Sequence, residues 1–405
     1  MSKLVCNQNK VNDMTAEELI GICPFNALEY NDGRIEVNSG CKMCMLCVRK
    51  GPAGVMELVE EHARQIDKGL WSGIAVYVEH SEGRIHPVTF ELIGKAKELA
   101  AAVGFPVYCV FMGYSIEAKA EELLYYGVDE VFVYDHEALR DFRIEPYTAV
   151  LEDFIRRLKP STVLVGATAT GRSLAPRAAA RLKTGLTADC TSLELNPNTD
   201  LVQIRPAFGG NIMARILCPG TRPQMATVRY KVMNAPERRN VPSGRIIRCE
   251  MEAERLASGI EVLKVTRKAS EEELSDAEII VAVGRAFRKE ADMDMARELA
   301  GLLGARIAGT RPLVEMGFIN PKQQIGLSGR TVKPKLIITL GISGAIQFIA
   351  GMNGSERIFA INCDSGAPIF NVAHYGIVGD VYEIVPRLVE KIRVSGAEAL
   401  TSQIG

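Results

Sequence analysis

Long apolar runs are missing from this sequence. None approaches the roughly 20 residues that a helix needs to cross a bilayer, and the polar start MSKLVCNQNK lacks the apolar stretch of a secretory leader. Both absences predict a cytoplasmic protein with no membrane span. A strong charge of either sign is missing too: 48 Lys and Arg stand against 49 Asp and Glu, which leaves no basic surface for nucleic acid. Histidine is scarce, with five scattered in 405 residues, so neither a His-based metal set nor a triad is in view. No nucleophile–base pair marks a hydrolase. What remains, at 47% hydrophobic residues, is a globular chain long enough for two or three domains.

Cysteine is the exception to this scarcity. In an intracellular chain, ten cysteines are poor material for a disulfide framework, and five of them crowd before residue 50. Cys41-Lys-Met-Cys44-Met-Leu-Cys47 is a C-x-x-C-x-x-C run, and Cys23 is followed by Pro24. Both phrases resemble bacterial ferredoxins, where the Cys before Pro joins the triplet from the other half. Cys23, Cys41, Cys44 and Cys47 therefore make one [4Fe–4S] set. The two halves of residues 1–66 overlay as a decayed repeat in which Asn9, Asn12 and Gly51 stand where a second cluster needs thiolates. One cluster is expected and Cys6 is left over. Four thiolates also suit structural zinc, the alternative that the triplet spacing disfavours. Ala27–Val37, centred on Asn31-Asp32-Gly33, reads as a hairpin, and Met43 and Met45 as a shield for the cluster.

From residue 67 onward, strands and helices alternate in the manner of an open parallel sheet. Strands are expected at Ile74–Val78, Val107–Phe111, Glu130–Tyr134 and Thr162–Gly166, and helices at Pro87–Val103, Ile116–Tyr126, Tyr147–Leu158 and Ala175–Leu182. The loop 167–173 is either a phosphate site or a plain strand-to-helix turn. Thr191–Arg229 alternates like an antiparallel edge on that sheet. A second unit begins near 261, with strands at Glu261–Thr266, Glu278–Val283, Leu336–Leu340 and Arg357–Ile361. The turn Gly341-Ile342-Ser343-Gly344 opens a helix whose amides and positive end suit an anion. Asn362 and Asp364 follow a strand's carboxyl end, where such sheets bind nucleotides. On this pattern alone, FAD and NAD remain open, the latter implying a stand-alone nicotinamide enzyme.

Gly341-Ile-Ser-Gly-Ala-Ile-Gln347, then Ala350-Gly-Met352, Ala367-Pro-Ile-Phe370 and Tyr375-Gly-Ile-Val-Gly-Asp380, closely resemble the signature region of the α subunit of electron-transfer flavoproteins. The amino-terminal segment resembles the extension found on α subunits of anaerobic, flavin-bifurcating members. The resemblance implies three domains: ferredoxin-like α+β over 1–66, a Rossmann-like or flavodoxin-like α/β domain over 67–260, and an FAD-binding α/β domain over 261–405. It implies FAD held by Arg285, by Thr310 and Arg311 beside the isoalloxazine, and by Ile325, Gly326, Leu327 and Ser328, whose hydroxyl meets flavin N5. Ser343, Gly344, Ala345, Ile346 and Gln347 fall on the pyrophosphate and ribityl side, and Asn362, Asp380 and Val381 on the adenosine side. Phe348 departs from the family's His near the flavin pyrimidine, which removes a donor able to follow flavin charge; His374 replaces a common Asp. Implied partners are a β subunit in a heterodimer, ferredoxin, and a flavoprotein of the acyl-CoA dehydrogenase/reductase or lactate dehydrogenase kind.

Overall fold

The computed structural model describes residues 2–38, 40–60, 66–81, 83–207, 212–266 and 274–395. Two compact units divide the chain, one ending at Ile66 and the other beginning at Asp67.

In the first unit, strand Ser2–Cys6 pairs antiparallel with Met56–Glu60, and Leu28–Asn31 pairs with Arg34–Val37 as the hairpin read from Asp32-Gly33. Both turn residues have positive φ, 47° and 79°, as a two-residue hairpin loop requires. Helix Asp13–Ile22 begins at a capping box in which Asn12 and Thr15 exchange side-chain bonds. So Asn12, which stands where a second cluster would need a thiolate, is occupied as a helix cap. The core is small, built on Ala16, Leu19, Leu28, Ile35, Val55 and Met56.

The second unit holds two parallel sheets. The larger has seven strands in the order Leu186–Cys190, Gln224–Val228, Thr162–Gly166, Ile74–Tyr77, Val107–Gly113, Glu130–Asp135 and Arg245–Arg248. Its central strands are near-continuous apolar runs because helices cover both faces: Val88–Ala101 and Glu117–Leu124 on one, Ile144–Leu158 and Ala169–Leu182 on the other. Two expectations change here. Ser192–Leu195, Leu201–Ala207 and Ile212–Ile216 form a separate three-stranded antiparallel sheet and do not extend the parallel one; Gln224–Val228 instead runs parallel inside the large sheet. The loop 167–173 is mostly helix, since Thr168 caps Gly171 N at 3.0 Å and the helix starts at Ala169.

The chain reverses its direction of winding between Ile74–Tyr77 and Thr162–Gly166, the switch point where open sheets bind ligands. In this sheet the crevice is filled from within. Thr168 Oγ1 donates to Glu79 Oε2 at 2.5 Å, and Glu79 is 8% exposed. Burial pushes its carboxyl up, against the opposing Thr168 bond.

A second buried carboxylate braces the chain as it leaves the large sheet. Glu91 accepts the amides of Lys231 and Met233, with its nearest bond at 3.0 Å. Burial pushes it up from 4.5 to about 7, although those amides, Lys231 and Lys333 oppose the shift. The folded chain thus keeps a proton that the unfolded chain releases near its ordinary value. The associated stability is present below that value and is lost as pH rises through 7, by up to about 3 kcal/mol. Denaturant titrations at pH 5 and pH 8 should show this loss in the wild type and a smaller one in Glu91→Gln. Equal losses in both would remove Glu91 as its source.

The smaller sheet is ordered Arg306–Gly309, Ile279–Val283, Leu336–Leu340, Arg357–Asn362 and Tyr375–Val378, all parallel. Helices Met293–Leu303 and Val381–Ser395 pack on one face. Ile325, Val332, Phe348, Met352 and Ile369 cover the other. The expected strand Glu261–Thr266 is unpaired, and its Leu263 and Val265 are 88% and 66% exposed. Alternation alone suggested a strand there, and no neighbour supplies the ladder.

Candidate functional site

In the smaller sheet the switch point lies between Ile279–Val283 and Leu336–Leu340, and here it is open. Two turns leave these strands and touch: a Cβ on Gly284 would stand 2.3 Å from Gly341 O, and one on Gly341 would stand 2.2 Å from Ala286 Cβ. Only glycine permits that approach. Over the turns lies a cavity of about 630 Å3, within the range of cofactor sites.

Arg285, Thr310, Arg311, Ile325, Gly326, Leu327, Ser328, Ser343, Ala345, Gln347, Phe348, Asn362, Asp380 and Val381 all line it. Gly344 and Ile346 do not. Gly344 lies behind the turn, with φ +82° and room for no Cβ, since Ile369 N would be 2.2 Å away. Ile346 is 48% exposed on the short helix Ile346–Ile349. Four residues make that helix too short for the dipole expected of it, so anion binding here falls to the amides themselves. Those of Ser343, Gly344 and Ala345 donate to no described residue.

The remaining polar groups divide into braces and free donors. Asn362 is a brace: its Nδ2 donates to Ile342 O at 2.8 Å and its Oδ1 accepts Asp364 N at 3.0 Å, which holds the Gly341–Gly344 turn in place. Asp380 Oδ1 accepts Tyr382 N at 2.9 Å. Ser328 Oγ accepts Gln324 Nε2 at 2.8 Å, leaving its own proton to give. Thr310 Oγ1 is buried with no partner among the described residues, an unmet hydroxyl on the cavity wall. Arg285 makes no described ion pair or side-chain hydrogen bond. Arg311 is tied to Glu315 at 2.8 Å, but both side chains are more than half exposed, so that pair is worth under about 1 kcal/mol and yields readily. His374 Nδ1 accepts Ile358 N at 2.9 Å and takes no part in the cavity. Gln324, Arg288, Cys363 and Tyr382 also line it, beyond the residues read from sequence. Tyr382 donates to Asp292 at 2.7 Å; the fold brings this pair together across ninety positions, which no local pattern signals.

In the first unit, Cys23, Cys41, Cys44 and Cys47 line one pocket, closed by Leu4, Phe25 and Leu28. None is in a disulfide. The thiol of Cys47 is pushed up by burial and, secondarily, by its neighbours Cys41 and Cys44. Two amides point at sulfur: Ala27 N to Cys23 Sγ at 3.3 Å and Met43 N to Cys41 Sγ at 3.5 Å. Met43 and Met45, in the loop that carries Cys41, Cys44 and Cys47, hold φ of 50° and 63°, left-handed values uncommon for such side chains. Among the described residues no three His, Cys, Asp or Glu groups converge as a single metal ion requires. Among the described residues, no helix is long and apolar enough to cross a membrane.

Residues 74–254 match the electron transfer flavoprotein domain, and residues 273–353 the electron transfer flavoprotein FAD-binding domain. The chain is 60% identical over 385 residues to the lactate dehydrogenase (NAD(+),ferredoxin) subunit LctC of Acetobacterium woodii, covering 95% of this chain and 92% of that protein. It is 40% identical over 327 residues to the electron transfer flavoprotein subunit alpha of Thermoanaerobacterium thermosaccharolyticum, covering 80% and 98%. It is 39% identical over 351 residues to the acryloyl-CoA reductase electron transfer subunit beta of Anaerotignum propionicum, covering 79% and 95%. A match over 95% of this chain takes in most of the first unit as well as the second.

Proposed function

The chain belongs to the electron transfer flavoprotein α-subunit family, and from that premise we propose that it relays electrons through one FAD seated at the open switch point of its smaller sheet. The observation that carries this reading is the cavity itself, whose glycine turns, unclaimed amides and unpartnered Thr310 hydroxyl fit a dinucleotide. Bound there, FAD supplies the redox chemistry. The protein binds, orients and tunes.

In this reading the amides of Ser343 and Ala345 hold the pyrophosphate, with Gln347 on the ribityl side and Gly344 allowing the turn from behind. Asn362 acts by bracing the turn that presents those amides, and Asp380 and Val381 border the adenosine. Ser328 offers its proton to the flavin edge. Arg285 and Arg311 favour negative charge on the ring, Arg311 by releasing Glu315. Phe348, 5% exposed at the cavity wall, offers packing but no proton where relatives carry a donor.

The first unit, in the same proposal, is a ferredoxin-like domain holding one [4Fe–4S] cluster through Cys23, Cys41, Cys44 and Cys47. The amide-to-sulfur contacts and the left-handed methionines support it, since such bonds tune cluster potential. The chain pairs with a β subunit in the cytoplasm and serves an NAD- and ferredoxin-linked flavoprotein complex. The lactate type is favoured over the acyl-CoA type by the relative whose match extends into the first unit.

A visible spectrum of the purified full-length chain tests the cofactor assignment. Flavin bands above a broad iron–sulfur shoulder are expected; a colourless chain that binds NAD would overturn it. Mixed with its β subunit and partner dehydrogenase, the chain should support ferredoxin reduction by NADH only when the organic acceptor is present.

A further inference from the structure

We propose that Arg229, which does not line the cavity, is a positioning residue for it: from the large sheet, its guanidinium fixes the carbonyl of Leu327 and with it the wall Ile325–Ser328. The inference rests on the FAD reading above.

Arg229 follows strand Gln224–Val228 directly, and its amide is locked to Cys190 O at 3.1 Å. Its side chain is 17% exposed. Burying a guanidinium is costly unless it is paired and hydrogen-bonded. The large sheet provides little of that pairing. Asp189 stands 3.9 Å away, but both its oxygens are engaged at 3.1 Å by the fork of Arg172. Arg229 Nε is buried with no described partner. The hydrogen bond that Nη2 makes is to the other sheet's loop, with Leu327 O at 3.2 Å. Burial lowers the affinity of this guanidinium for its proton, in keeping with a charge kept there at a cost.

At the receiving end, the Leu327 amide donates to Gln347 O at 2.9 Å. The residue is therefore tied at its nitrogen to the cavity's own wall and at its oxygen to a foreign sheet. Gly326 before it holds φ +136°, a conformation few other residues would keep unaided. With the carbonyl fixed, the backbone that carries Ser328 is held in place beside it. Neighbours in sequence also cross between the sheets, as with Lys333 Nζ to Asn234 Oδ1 at 2.7 Å and Lys231 to Asp276 at 3.8 Å, but they end on surfaces away from the cavity. Lys333→Ala is therefore the control for a general loosening of the joint.

The test uses the full-length chain. Arg229→Ala should weaken FAD binding about tenfold or more, the weight of one charged hydrogen bond. It should also lower the flavin midpoint potential, since a cation behind the site is removed. Arg229→Lys should restore most of the potential and part of the affinity, and Lys333→Ala should leave both at wild-type values. Exchange of the Leu327 amide, followed in flavin-stripped protein, reads the strut by itself and should speed up in Arg229→Ala. A wild-type chain without affinity for FAD would defeat the cofactor reading while leaving that exchange result standing. If Ala does not fold, Arg229→Gln, which keeps the bulk, takes its place. Unchanged affinity, potential and exchange in the folded variant, or equal effects from Lys333→Ala, would overturn the proposal.

Discussion

Cys44→Ser is expected to empty the first unit of iron and leave the flavin of the second in place. Cys44 is the exposed member of the four thiols around the pocket, so replacing it disturbs no packed core. In the proposed cluster, where each thiolate would hold a separate iron, the substitution removes one corner. A unit of this size has little else to stabilise it: its core rests on about six small or medium side chains, and domains under about 70 residues commonly depend on a metal or disulfides. Iron should fall from about four per chain toward zero, and residues 1–66 should become open to protease. Cys6→Ser is the companion variant and should keep its iron, because Cys6 does not line the pocket. Wild-type protein carrying zinc in place of iron would overturn the cluster assignment. Ferredoxin-linked activity that survives the loss of iron would reduce the cluster to a structural role.

Gly344→Ala should destroy the cavity from behind. The backbone there has φ +82°, which costs an L side chain about 1–2 kcal/mol, and the new Cβ would meet Ile369 N at 2.2 Å and Ile369 Cα at 2.5 Å. Neither atom belongs to a flexible side-chain end. Ile369 N is itself bonded to Ser343 O at 3.1 Å, so the clash pries apart the turn whose amides are proposed to hold pyrophosphate. Overpacking adds about 1–3 kcal/mol, for a total of roughly 2–5 kcal/mol. FAD content after purification and the thermal midpoint should both drop sharply. Gly354→Ala is the control, because its Cβ would find only the Lys333 side chain at 3.5 Å. Equal behaviour of the two variants would refute the argument.

The central strands of both parallel sheets were legible because burial on two faces writes them as apolar runs, as in Leu336–Leu340, whereas the edge strands Leu186–Cys190, Arg245–Arg248, Arg306–Gly309 and Tyr375–Val378 carry no such run. The cavity wall was legible where family phrases mark it. What escaped were relations between distant positions. Nothing near Gly344 announces that Ile369 presses on it, and nothing near Arg229 announces Leu327, 98 residues away. Alternation at Thr191–Arg229 gave strands but not their sheet, since period alone does not choose a partner. The same limit produced the strand at Glu261–Thr266. Helix Ala169–Leu182 began six residues early because Thr168, rather than the glycine after it, sets the cap.

The two switch points have a consequence for selectivity in the cell. The fold offers the generic nucleotide address twice, yet at the first of these a carboxylate from the chain's own Glu79 rests against Thr168 in the crevice. A diphosphate approaching it meets a filled space and, whenever that carboxyl is ionised, a like charge. Competition among nucleotides for the protein is then expected to concentrate on the open address of the smaller sheet.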